Sequence, residues 1–185
     1  MFSSIKNKRY FFTSLLLSAT LGFTYTKEET YENLVSESTQ LEIIYSENGA
    51  IKHAFSAQRA LHYNNGDQAY LEGVHLSFYK TDTTASAGPQ LSVTGKAQSA
   101  YYWAERKIYE LRGDVEIKSL QENRQLNTDM LYIDAEADTF YTDMFIRVET
   151  EHDILTGEGL TAKRDLSHYS VSKPEGNFNT DPVTE

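Results

Sequence analysis

Residues able to do chemistry are present in this chain, but their spacing assembles no reaction. Gly157-Glu158-Gly159-Leu160-Thr161-Ala162 satisfies the G-x-G-x-x-A pattern that cradles a dinucleotide pyrophosphate. That use needs a strand before the glycines and a helix after them, and no helical periodicity comes after Ala162. Glycines at a corner between strands are the simpler reading. Glu149, Glu151 and Asp153 set three carboxylates on one side of an extended segment, a pattern that attracts cations or moves protons. No nucleophile or second constellation faces them, so a solvated strand end accounts for them. His53, His62, His75, His152 and His168 are scattered without metal-ligand spacing, although His62 and His75 bracket one turn. Cysteine is absent, which removes disulfides, zinc thiolates, thiol nucleophiles and an acylated lipoprotein cysteine. Neither an enzyme nor a cofactor or metal site is expected.

The elements that would position any site are strands. Among 185 residues are 13 tyrosines and 9 phenylalanines, a composition that favours sheets. Phe140, Thr142, Met144, Ile146 and Val148 share one parity, and Tyr141, Asp143 and Arg147 the other. Such alternation describes a strand with one face buried. Leu131 and Ile133 form a matching run before it, with Asp134 to Asp138 as the connection. Glu47-Asn48-Gly49 and Asn64-Asn65-Gly66-Asp67 supply hairpin turns. Gly73 and Gly113, Ala60 and Ala100, and Tyr63 and Trp103 are each forty residues apart, which marks an internal repeat. Asp143 holds the equivalent place in a third copy, and a partial fourth starts at Ile154. After residue 40 no apolar recurrence of helical period persists. Repeated antiparallel strand pairs, each with one apolar face, must stack to bury it. Two facing sheets in a jelly roll, or a coil of such pairs, satisfy that demand.

The amino terminus differs in kind. Lys6, Lys8 and Arg9 precede an uncharged run of 17 residues, Tyr10 to Thr26, and roughly 17–25 residues span a bilayer. A basic patch before an apolar helix reads as an inner-membrane anchor with its basic end in the cytoplasm, or as a secretory signal removed by cleavage. The first 26 residues carry no acidic side chain, so the acidic excess of this −10 chain belongs wholly to residues 27–185. That acidity excludes nucleic acid as a partner. The expected organisation is 1–26 as stub and anchor or signal, 27–38 as connector, 39–172 as the β-domain and 173–185 as a disordered tail.

Leu126, Thr128, Leu131 and Asp134 spell L-x-T-x-x-L-x-x-D. Thr142, Asp143, Ile146 and Val148 spell T-D-x-x-I-x-V, and T-G-x-G-L comes next at Thr156 to Leu160. This succession, with the basic start and single apolar segment, resembles the LptC family of the bacterial lipopolysaccharide export machinery. The resemblance implies a twisted, two-sheet, V-shaped β-jelly roll with a greasy interior groove and no enzymatic activity. It further implies a domain in the periplasm that takes lipopolysaccharide from an inner-membrane ABC transporter. The lipid would pass to an LptA-like bridge protein docked by edge-strand addition. Candidate lipid-binding residues are Val74, Leu76, Phe78, Tyr101, Trp103, Val115, Ile117, Met144, Ile146 and Val148, with ordinary core packing as the alternative for each. The rival functions are a soluble bridge subunit of the same system, and a structural envelope domain that scaffolds partners without carrying lipid.

Overall fold

Residues 33–80 and 88–175 are described by the computed structural model, and all of their regular structure is β. The strands run β1 (Leu34–Glu47), β2 (Ala50–Tyr63), β3 (Gln68–Leu71), β4 (Val74–Lys80), β5 (Gln90–Ala97) and β6 (Ser99–Trp103). They continue with β7 (Ile108–Ser119), β8 (Arg124–Asp134), β9 (Thr139–Glu149), β10 (Ile154–Lys163) and β11 (Tyr169–Glu175). The expected apolar helix before residue 27 lies outside the described residues. Strand β1 begins inside the stretch read as connector, and β11 runs into the stretch read as tail.

Every pairing is antiparallel, as short connections between successive strands require. At the β1–β2 turn, Asn48 (φ 52°) and Gly49 (φ 78°) are both left-handed, the conformation that matches a two-residue loop to the strand twist. The long strands then divide their partners. β2 pairs with β4 through His53–Ser56 and with β3 through Arg59–His62. β7 pairs with β5 through Glu116–Ser119 and with β6 through Ile108–Arg112. One hydrogen-bonded sheet therefore forks into two layers, a β3–β6 layer and a β4–β5 layer, and β8, β9 and β10 run through both. This is an all-β fold of jelly-roll type.

The line between the layers is a crease with its own chemistry. Gly73 (φ 87°), Gly113 (φ 76°), Asp114 (φ 47°) and Gly159 (φ 75°) are left-handed there. The β7–β8 ladder slips between Arg112 and Val115, and the β8–β9 ladder between Thr128 and Tyr132. These are bulges, which bend strands and tighten their twist. Backbone bonds stitch the crease: Gly73 N–H donates to Gln98 O at 3.1 Å, and Gln98 N–H to Gly113 O at 2.9 Å. The Gln98 amide reaches Asp114 Oδ2 at 2.6 Å, and the Thr128 hydroxyl reaches Phe145 O at 2.8 Å. The forty-residue repeat of glycines is thus the repeat of the crease.

Inner faces of the two layers meet in one core. Opposed across the β4–β5 layer lie Phe55, Leu76, Gly95, Ile117, Leu126 and Val148. Across the other lie Ala60, Tyr70, Ala100, Leu111 and Leu131. Phe55 meets Tyr70 edge-on with centroids 4.5 Å apart, and Phe78 meets Phe140 at 6.4 Å, both across the gap. Leu111, Ile117, Leu126 and Leu131 are fully buried, each worth roughly 1.5–3 kcal/mol relative to exposure.

Crease glycines are not equivalent. A Cβ on Gly113 would lie 2.5 Å from Gln98 Oε1, whereas one on Gly73 meets nothing within 4 Å. Gly73→Ala is expected to cost about 1–2 kcal/mol, the left-handed penalty alone. Gly113→Ala is expected to cost more, because Gln98 must also give up its place beside Asp114. Urea unfolding midpoints of the two variants measure the difference, and equal losses would contradict the crease geometry.

Candidate functional site

The two layers do not close along their whole length. A cleft of about 100 Å³ opens between them. Its β4–β5 wall is Phe55, Leu76 and Phe78, with His53 and Ile43 at the mouth, and its opposite wall is Tyr70, Tyr109, Ile133 and Ala135. β2 and β4 position the first wall, where alternation puts Phe55 opposite Leu76 and His53 opposite Phe78. β7 and β8 position the second, with Tyr109 opposite Ile133.

The lining is electrically quiet. Burial, reinforced by the nearby Arg164 cation, pushes the His53 imidazole below its ordinary value, so it is neutral at neutral pH. The ring stacks on Tyr45 at 4.7 Å. Burial, with Tyr109 and Tyr102 nearby, raises the Tyr70 phenol far above the ordinary range. Tyr109 is raised by burial and by Tyr102. Both phenols keep their protons. Arg164, 4.8 Å above the Phe78 ring and 2.8 Å from Asp138, is the one charged lining residue.

A clasp at the β10–β11 connection holds the layers together. Leu166 is 1% exposed. Arg124 Nη1 donates to Leu166 O at 2.6 Å and Ser167 O at 3.0 Å, and Lys80 Nζ lies 3.3 Å from Asp165 Oδ2. Lys80 and Arg124 belong to the β4–β5 side, while the connection extends from the other, so each contact ties one layer to its neighbour.

The expected groove residues separate into groups. Val74, Leu76, Val115, Ile117, Ile146 and Val148 are buried in the core, and of these only Leu76 reaches the cleft. Phe78 is half-buried and lines it. Met144 does not face inward. The crease at Asp143–Phe145 interrupts the alternation of β9, and Met144 is 38% exposed. Tyr101 and Trp103 lie on the outer face of β6, because Ala100 and Tyr102 take the inward positions. Phe55, Tyr70, Tyr109 and Ile133 were missed as lining residues. Each sits on an inward parity, but only the pairing across the gap distinguishes a cleft wall from ordinary core. Gly157 to Ala162 lies inside β10 with no helix after it, so the dinucleotide pattern is a strand. Among the described residues, no cluster of His, Asp and Glu is arranged to hold a metal ion, and no helix is long and apolar enough to cross a membrane.

The clasp carries a pH signature. Burial works against the Asp165 charge, but the Ser167 side-chain and backbone bonds and the Lys80 ammonium outweigh it, holding the carboxyl at about 2 against an ordinary 3.8. A depressed carboxyl stabilises the fold fully above the ordinary value and loses that contribution as pH falls toward the folded one. Acid titration between pH 3.8 and about 2 is expected to weaken the wild type more than Asp165→Asn, read as melting temperature against pH. Superimposable profiles would show that the Asp165 carboxylate contributes nothing to the clasp.

Compared with curated proteins, the chain matches none. Residues 24–173 match the family described as lipopolysaccharide-assembly, LptC-related. That span includes every strand except the last two residues of β11. The chain is a member of the LptC family, a non-enzymatic component of lipopolysaccharide transport in the cell envelope.

Proposed function

We propose that the β-domain carries lipopolysaccharide by taking an acyl chain between its two layers, receiving it from the inner-membrane ABC transporter and handing it to a periplasmic bridge protein. The observation that carries this reading is the aromatic cleft bounded by Phe55, Tyr70, Phe78, Tyr109 and Ile133, whose charged lining residue, Arg164, is paired with Asp138. Each methylene that leaves water contributes about 0.8 kcal/mol, so a tail of ~10 carbons supplies several kcal/mol even when partly inserted. At about 100 Å³ the cleft is smaller than the roughly 150 Å³ cavity that admits one benzene. The layers therefore part to accept a chain, and the clasp at Arg164–His168 sets the cost of parting. Sheet ends suit the hand-off. Among the described residues β1 pairs only with β2 and β11 only with β10, leaving backbone groups open to strand addition. By family analogy the transporter meets the β1 side and the bridge the β11 side, with the amino-terminal segment as a single-pass anchor in the inner membrane.

One observation favours the rival scaffold reading, namely that most inward side chains are sealed in the core. A photo-crosslinking amino acid at Phe78 or Tyr109 is expected to capture lipopolysaccharide in living cells, while one at Tyr132, on the opposite face of β8, is not. Arg124→Ala is expected to raise both capture at Phe78 and binding of a hydrophobic dye, since it unties the clasp from two carbonyls. Silence at every cleft position, with no dye bound by either protein, would leave the scaffold reading standing.

A further inference from the structure

The open end of the β3–β6 layer holds a second recess, into which residues of both faces of the sheet reach. It measures about 440 Å³, within the range of small-molecule sites of roughly 300–1,000 Å³. It forms where the β2–β3 turn stands beside β6, with Trp103 and Tyr101 on the outer side, Asn64, Asn65 and Asp67 along the turn, and the opposed pair Gln68 and Tyr102 on the inward side.

The aromatic wall is fixed in place. Tyr101 and Trp103 stack at 6.3 Å and 20°. Trp103 Nε1 donates to Glu110 Oε2 at 2.8 Å, Glu110 also accepts from Arg112 Nε, and the Arg112 guanidinium lies 4.5 Å over Tyr101. These four side chains form a closed loop of contacts. Its carboxylate is only 5% exposed although it sits on the outside of the sheet. A buried charge is costly, and this one orients an indole that the core does not use. A wall already rigid loses little freedom when a ligand arrives.

The turn supplies the complementary chemistry. Asp67 accepts from Ala104 N–H at 2.9 Å and from the Asn65 amide at 2.7 Å, so both its oxygens are engaged and it is no free metal ligand. The Asn64 amide nitrogen bonds Asn33, and Gln68 Oε1 accepts from the Tyr70 hydroxyl. Among the described residues Asn64 Oδ1 and Gln68 Nε2 have no partner, leaving one acceptor and one donor at the recess. Anions are disfavoured beside Asp67 and Glu110 in a chain of net charge −10. A fatty tail would strip the amides of water without replacing it. A sugar ring suits both sides: its C–H face lies on an aromatic face, and its hydroxyls donate and accept.

We propose that this recess binds a short, hydroxyl-rich saccharide, stacked against Trp103 and hydrogen-bonded by Asn64 and Gln68. The inference stands apart from the acyl-chain reading, since it uses different residues and a different part of any glycolipid. Trp103 is the only tryptophan in the chain, so its emission reports the recess directly. Full-length protein in a detergent without sugar head groups is titrated with deacylated lipopolysaccharide oligosaccharide and, separately, with soluble peptidoglycan glycan fragments. A saturable change in emission is expected with at least one of them, and whichever acts identifies the source. Asn64→Ala with Gln68→Ala is expected to weaken binding roughly tenfold without altering far-UV circular dichroism. Should that pair not fold, Gln68→Glu keeps the shape, removes the donor and gives a comparable loss. No change with either saccharide, or one undiminished in the folded variants, overturns the proposal. Neither saccharide has acyl chains, so silence here with capture persisting at Phe78 removes the recess alone.

Discussion

Everything in this domain depends on a single sheet being folded over without losing its hydrogen bonds. Long strands must leave one layer and enter the other at a common line, and an extended backbone does not bend that way unaided. Left-handed residues and extra residues do the bending at Gly73, Gly113-Asp114 and Gly159. Other bonds replace the ladder bonds that the bend removes, as the Thr128 hydroxyl does for the Phe145 carbonyl and the Gln98 backbone N–H for the Gly113 carbonyl. The inner faces are then brought together as a consequence, and the core and cleft come from the same fold line.

The same line marks where sequence reading succeeds and fails. Within a layer the side-chain period is two, so Leu131, Ile133, Ile146 and Val148 are inward as alternation demands. The Asn48-Gly49 turn and the glycine repeat are equally legible, because each is a local demand on φ. Across the crease an extra residue resets the parity. Phe55 and Ala57 belong to the core by one parity of β2 and Ala60 by the other, which no uninterrupted alternation describes. Met144 was misplaced for that reason. Tyr101 and Trp103 were misplaced for another: size suggested burial, while small Ala100 held the inward position beneath a tightly packed Leu111. Of the cleft, Leu76 and Phe78 were legible by their parity, but its opposite wall was not, since that wall is a property of spacing between layers that share no local sequence.

The two faces of the β3–β6 layer show how differently aromatic residues are employed. Inside, Tyr70, Tyr102 and Tyr109 lie against one another or against Phe55, and burial keeps the Tyr70 and Tyr109 phenols protonated. Outside, Tyr132 stacks on Tyr141 at 5.0 Å, and Trp103 is steered by a carboxylate. The inner set excludes charge, and the outer set is organised around one.

Strand β1 has a consequence of its own. It is 14 residues long, shares only one edge, and exposes Val35, Ile44 and Tyr45, features that invite fibrous self-association. Glu37, Glu42 and Glu47 are spaced along it, so two copies laid edge to edge would set acid against acid. Glu37 is tied to Arg59 at 2.6 Å, which leaves Glu42 and Glu47 as the main obstacle to such pairing. Solubility of the β-domain should decline in high salt, where that repulsion is screened, well before the core itself gives way.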